Sequence, residues 1–212
     1  MRRSFLSLGL VLAVVGPAAG QQVRLAPQFG LYVPTEQLYD LAAGSASSDD
    51  FKLEAGPAFG ARLGVWFGQR FGIELGGNYV PTTFAFGAGG GTTKQDAKLF
   101  TGTGQAVVFL LPPSGLLSLF ASAGVAVISR GGVAFTSEAK TTNLGGVLGV
   151  GAAVRLGPIG LTVGADLLGY TADYQGTQAV SRQVTQRDVN IKVGFGVPFG
   201  GGGSAGRMGG GR

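Results

Sequence analysis

The 212-residue chain contains no cysteine and no histidine, and only 13% of its residues are charged. Without cysteine it can build neither a disulfide scaffold nor a thiolate metal site. Without histidine, most general-base, triad and zinc chemistry is closed to it. It also lacks an unbroken apolar run that could cross a membrane as a helix. The richest stretch, Ala106 to Ile128, is interrupted at its middle by Pro112-Pro113-Ser114-Gly115, and proline inside a helix costs about 3 kcal/mol. Charge of one sign is scarce as well. The formal +5 includes Arg2, Arg3, Arg207 and Arg212 at the two ends, and without them 12 basic residues face 11 acidic ones. A nearly neutral body lacks the clustered basic face that nucleic acid requires.

What the chain has in excess is glycine, 41 of 212 residues, far above the usual level of about 7%. The spacing is not that of collagen, and the content of Phe, Val and Leu is too high for disorder. The two ends stand apart from the body. Residues 1–20 place Arg2 and Arg3 before an apolar run from Phe5 to Val15, then Gly16-Pro17 and the small residues Ala18-Ala19-Gly20. That is the order of a secretory signal peptide, with cleavage expected before Gln21. Residues 200–212 are glycine-rich with little to bury and are expected to form a flexible tail. The domain between them is expected to run over 21–199.

That body alternates with a period of two, the signature of strands with two different faces. In 188–199, Val189, Ile191, Val193, Phe195, Val197 and Phe199 alternate with Asp188, Asn190, Lys192, Gly194, Gly196 and Pro198. The same split recurs in 23–33, 59–67, 71–79, 99–111, 116–128, 144–156 and 159–167, which predicts eight strands. Three connections are tight: Gly68-Gln69-Arg70, Pro112 to Gly115, and Gly157-Pro158. Four are long and polar: 34–56, 82–96, 129–142 and 171–186. Short turns alternating with long loops, and an even strand count, predict an all-β, antiparallel, up-and-down, eight-stranded transmembrane barrel.

A soluble barrel or sandwich also alternates, but its polar face must meet water. Here that face is mostly glycine, which makes a poor solvated surface and a poor strand residue. Small side chains instead suit the interior of a narrow barrel. The apolar face is expected to meet lipid. Phe67, Phe71, Phe109 and Phe199 would lie at its turn side and Phe59, Tyr79 and Phe100 at its loop side, as two interfacial rings.

The chain resembles the outer-membrane β-barrel domain family of OmpA/OmpX-type eight-stranded proteins. The resemblance runs over about residues 23–199 and rests on the leader, the rhythm of strands and loops, and the last strand. It implies insertion into outer-membrane lipid with both termini periplasmic. It also implies that Ile191, Val193, Phe195, Val197 and Phe199 form the signal read by the barrel-assembly machinery. The chain departs from the family pattern in continuing past Phe199 to Arg212, where members often end at the aromatic residue.

The inward face carries Arg62, Glu74, Arg155, Asp166 and Lys192, with Gln105 beside them, and strand counting puts Asp166 and Lys192 at one height. Unpaired charges in a narrow lumen are costly, so a mixed-sign cluster that plugs the lumen is expected. The alternative is a gate whose pairs rearrange to conduct ions. Catalysis is not expected. Ser114, Ser118, Ser122 and Ser129 have no imidazole partner, and Asp49-Asp50 read as solvated loop residues. Gly87 to Lys94 resembles a phosphate loop only superficially, because Lys94 follows a threonine and no helix is expected after it. No metal or cofactor site is foreseen. The expectation is a structural or adhesion-type membrane barrel, with loops 34–56, 82–96, 129–142 and 171–186 as the interaction surface for an extracellular ligand. A small porin or a channel for hydrophobic molecules is the alternative.

Overall fold

A computed structural model describes residues 21–35, 51–67, 70–88, 91–112, 115–133, 142–157, 159–175 and 181–199. The expected signal peptide, the tail, the middles of the four expected long loops and residues 68–69, 113–114 and 158 of the tight connections lie outside the described residues. The strands are β1 (Gln21–Pro34), β2 (Phe51–Leu53), β3 (Gly56–Phe67), β4 (Phe71–Ala88), β5 (Gly91–Leu111), β6 (Leu117–Gly131), β7 (Thr142–Leu156), β8 (Ile159–Gln175) and β9 (Ser181–Phe199). Apart from β2, each pairs antiparallel with its neighbours in sequence. The ring closes where β1 pairs with β9, from Val23 opposite Phe199 to Pro34 opposite Asp188. The barrel is therefore eight-stranded, and β2 is a short addition to the edge of β4, with Leu53 opposite Phe84.

The barrel is inverted relative to a soluble protein. Leu25, Phe29, Ile73, Leu75, Leu148 and Val150 are exposed on its outer surface, while Gln28, Asn78, Gln105, Asn143, Asp188 and Asn190 are buried inside. An outer wall of this kind belongs in lipid. Its apolar band ends abruptly towards the long-loop end. Two residues beyond Phe100 stands exposed Lys98, and two beyond Val189 stands exposed Arg187. Just inside that boundary, Phe59, Tyr79 and Phe100 lie opposite one another on β3, β4 and β5, with the Tyr79 and Phe100 rings 4.9 Å apart. At the tight-turn end Phe67 and Phe71 are paired and exposed. Both are placed as the alternation predicts.

Three expectations are corrected. Segment 82–96 is not a loop, because β4 and β5 stay paired from Phe71 opposite Val108 out to Ala88 opposite Gly91. Likewise, much of 171–186 belongs to the β8–β9 hairpin, paired as far as Gln175 opposite Ser181. Polar side chains there mark strands that have left the apolar band, not the end of the strands. Phe109 points inward and is buried, since it shares the parity of Gln105. The end of β5 is apolar on both faces, so alternation alone does not orient it. A register shift between Phe109 and Leu111 then leaves Leu110 and Leu111 both exposed, as a β-bulge does.

The inward glycines make room for neighbours. A Cβ at Gly72 would strike the Trp66 indole, and one at Gly30 would strike the Ile191 carbonyl oxygen. Gly102 faces outward with nothing within 4 Å of where a Cβ would stand. Gly30→Ala is therefore expected to destabilise the barrel by about 1–3 kcal/mol through overpacking. Gly102→Ala should leave stability within about 0.5 kcal/mol of the parent. Urea midpoints in detergent check the pair.

Candidate functional site

The candidate site is the lumen, which is stacked in three layers. Nearest the tight turns is an aromatic floor of Trp66, Val107, Phe109 and Phe120. Trp66 and Phe109 have ring centroids 4.9 Å apart at 57°, and Phe109 and Phe120 are 5.9 Å apart, edge to face. Gly72 admits the Trp66 ring and Gly151 admits the Phe120 ring, since a Cβ at either position would lie inside van der Waals contact with that ring.

Above the floor lies the charged layer. Arg62 on β3 pairs with Glu74 on β4 at 2.8 Å, and its Nε donates to Gln28 Oε1 at 2.7 Å. Gln28 Nε2 donates to Asn78 Oδ1 at 2.6 Å, and Asn78 Nδ2 donates to Thr101 Oγ1 at 3.2 Å. On the opposite wall Lys192 is bonded to Asp166 Oδ2. Gln105 Nε2 lies 3.5 Å from the same oxygen, and the Ser122 hydroxyl donates to Gln105 Oε1 at 2.6 Å. Strands β1, β3, β4, β5, β6, β8 and β9 all contribute side chains. β7 contributes space: a Cβ at Gly149 would stand 2.8 Å from Asp166 Oδ1 and 3.3 Å from Gln105 Oε1.

Five of the six expected lumen residues, Arg62, Glu74, Gln105, Asp166 and Lys192, meet in this layer. Arg155 does not. It is exposed near the tight-turn end of β7, one residue from the end of the strand, and so can reach water. Asp166 and Lys192 are also not directly opposite, because Lys192 faces Gly164 and Asp166 faces Asn190. Gly164 has no side chain to obstruct the diagonal, and Lys192 leans along it. With Lys192 only 3% exposed, the pair is fully desolvated, and losing either partner strands the other.

Sequence reasoning did not single out a second polar node towards the loop end. Tyr32 and Tyr170 both donate to Asp188 Oδ2, Tyr170 at 2.7 Å. Arg130 Nη1 donates to Asn143 Oδ1 at 2.9 Å, and its guanidinium lies 5.1 Å from the Tyr170 ring centroid. The inward parity of Asp188 was visible in the sequence, but its tyrosine partners come from β1 and β8. Packed around this node is the third layer, an apolar roof of Leu53, Val80, Leu99, Ile128, Leu168 and Ala172, with Phe84 against it. Among the described residues no group of three or more acidic side chains is placed to hold a metal ion.

Of the expected assembly signal, Ile191 and Phe195 are exposed on the outer face of β9 and Val193 is half-buried between them. The side chains of Val197 and Phe199 lie outside the described residues. Beyond the apolar band, Lys94 Nζ pairs with Glu54 Oε1 at 2.5 Å, and the Thr83 hydroxyl donates to Glu54 Oε2 at 2.6 Å. These bonds, first that from Lys94, hold the Glu54 carboxyl below its usual range. A lowered folded-state value stabilises above the unfolded carboxylate range and is lost as pH falls through the folded value. The gain is small because the pair is solvated.

Two outcomes follow. Asp166→Ala is expected to cost about 3–5 kcal/mol by leaving Lys192 unpaired, whereas Asp166→Leu combined with Lys192→Met should return close to the parent. Equilibrium unfolding in urea distinguishes the single from the double variant. In a carboxyl NMR titration Glu54 should ionise below ordinary glutamates, and Lys94→Ala should move it back up.

Comparison with known proteins agrees with this geometry. The crystal structure of Neisserial surface protein A is 14% identical, with 85% of this chain and 98% of that chain covered at a TM-score of 0.52. The solid-state NMR structure of outer membrane protein AlkL in lipid bilayers is 13% identical, with 94% and 97% covered at 0.55. The solution structure of E. coli outer membrane protein W is 17% identical, with 87% and 100% covered at 0.50. Identities this low speak to the fold alone. No curated protein matches the sequence. The family described as outer membrane protein beta-barrel domain matches residues 6–199, and the chain belongs to that family, a β-barrel protein of the cell outer membrane.

Proposed function

We propose that this protein is a non-enzymatic, non-conducting outer-membrane barrel whose lumen is a structural plug and whose long-loop end is the interaction surface. The observation that carries this reading is the filling of the lumen through its height. The lumen cavity between the aromatic floor and the charged layer is about 30 Å³, room for one or two waters and not for a solute. The absence of histidine from the sequence and the lack of a nucleophile–base pair among the described lumen contacts support a non-catalytic role.

In this reading the tight turns and both termini face the periplasm, and the extended β4–β5 and β8–β9 hairpins face outward. Segments 34–56, 82–96, 129–142 and 171–186 there offer strands and connections to an extracellular ligand, on a scaffold that holds them in place. Ile191, Val193, Phe195, Val197 and Phe199 present the alternating face read during insertion by the barrel-assembly machinery.

The apolar roof favours a second reading, a channel for hydrophobic molecules entering at the loop end. Its members, however, are packed to near-complete burial, and the charged layer beneath would oppose an apolar solute. Planar-bilayer recording separates the readings. The plug predicts no steady open level at moderate voltage, with conductance appearing only when Arg62 and Lys192 are both truncated to alanine. A steady open level in the unmodified protein would overturn it.

A further inference from the structure

The cavity beneath the charged layer is lined by three cationic side chains, Arg24, Arg62 and Lys192, and by one carboxylate, Glu74. Arg62 is committed to Glu74 and Gln28, and Lys192 to Asp166. Arg24 has no ion pair among the described residues, and its buried Nε has no hydrogen-bond partner. Its stem crosses Gly196 and its guanidinium lies over Gly160, with Nη1 3.5 Å from where a Gly160 Cβ would stand. Both positions are glycine, which leaves room for the half-buried Arg24 side chain to lie along the wall, with Nε covered. Counting Asp166 behind Lys192, three positive charges face two negative ones. A half-buried cation beside two others is stabilised when a counter-charge accompanies it.

A second unmatched donor lines the same cavity. Trp66 also lines the cavity, is 8% exposed, and its buried indole Nε1 has no hydrogen-bond partner. Nε1 lies on the side of Gly64, 3.6 Å from where a Cβ there would stand. Gly64 is the residue directly opposite Arg24 on the paired strand. Indole N–H can only donate, and so can guanidinium. Two unmatched donors and an unmatched positive charge around one small cavity call for an acceptor that carries negative charge.

We propose that this cavity is a binding site for a single small inorganic anion of halide size, held by Arg24 and the Trp66 indole N–H. The anion neutralises Arg24 and completes the charge balance of the plug. The cavity volume of about 30 Å³ excludes organic anions and lipid headgroups, leaving a monatomic ion as the fitting class.

Trp66 is the only tryptophan in the chain, so its fluorescence reports the site directly. The purified full-length barrel in detergent is titrated with iodide at constant ionic strength, with gluconate as the balancing anion because it is too large to enter. Quenching should saturate, and added chloride should reverse it. Arg24→Gln should weaken iodide binding at least about tenfold, the loss of one charge-assisted hydrogen bond, whereas Arg24→Lys should retain part of it. A heat-dependent gel shift verifies that both variants remain folded barrels. Linear, non-saturating quenching equal in the parent and Arg24→Gln would overturn the proposal and leave water as the occupant. So would saturable quenching that chloride does not reverse.

Discussion

The pairing of β1 with β9 is the constraint on which the rest of the structure depends. In hydrocarbon every unpaired backbone N–H or C=O costs several kcal/mol, so a membrane-embedded sheet cannot keep an open edge. Closing the ring at eight strands fixes a narrow perimeter, and the perimeter fixes what can stand inside. Large inward side chains survive only where the wall facing them is bare. The Trp66 ring needs Gly72, the Phe120 ring needs Gly151, and the Asp166–Gln105–Ser122 contacts need Gly149. Glycine weakens a strand locally, but here it makes closure compatible with a filled interior.

The order of the lumen layers follows from solvation. Two ion pairs are gathered in one layer, each joining neighbouring strands: Glu74 with Arg62, Asp166 with Lys192. Above and below, aromatic and aliphatic layers separate them from the ends. This lowers the local dielectric, which strengthens the pairs and raises the cost of breaking them. The Tyr32–Asp188–Tyr170 node sits against the apolar roof and obeys the same rule, with a buried carboxylate satisfied by two hydroxyl donors.

The strand count, the tight turns and the sidedness of most strands were legible in the sequence, because lipid outside and little space inside impose opposite chemistries on alternate residues. Legibility failed wherever that contrast vanished. At the end of β5 both faces are apolar, so Phe109 was placed outward. Beyond Lys98 and Arg187 both faces become mixed, so paired hairpins read as loops. Arg155 shares the inward parity but stands close enough to the strand end to reach water, which alternation does not register. The lumen charge cluster was legible as a set of residues and not as a wiring diagram. Some of its bonds join strands far apart in sequence, Gln28 to Asn78 and Gln105 to Asp166, and even the Lys192–Asp166 pair, on consecutive strands, runs diagonally through space left by Gly164.

The hairpins that leave the apolar band change what the long-loop end can be. Freed from lipid, β4 and β5 remain in register to Ala88 opposite Gly91, while β2 adds a third strand and the Glu54–Lys94 and Glu54–Thr83 bonds tie that strand down. On the inner side Ala97 and Leu53 extend the apolar roof past the boundary marked by Lys98. The core of this barrel therefore does not stop at the membrane surface. It continues into the projecting sheet and stiffens it, because displacing β2 would uncover Leu53 and part of the roof, at a cost of about 1.5–3 kcal/mol for a side chain of this size. Side chains on the outer face of that sheet, Lys94, Asp96 and Lys98 among them, are thus displayed on a rigid strand, where recognition loses little entropy on binding.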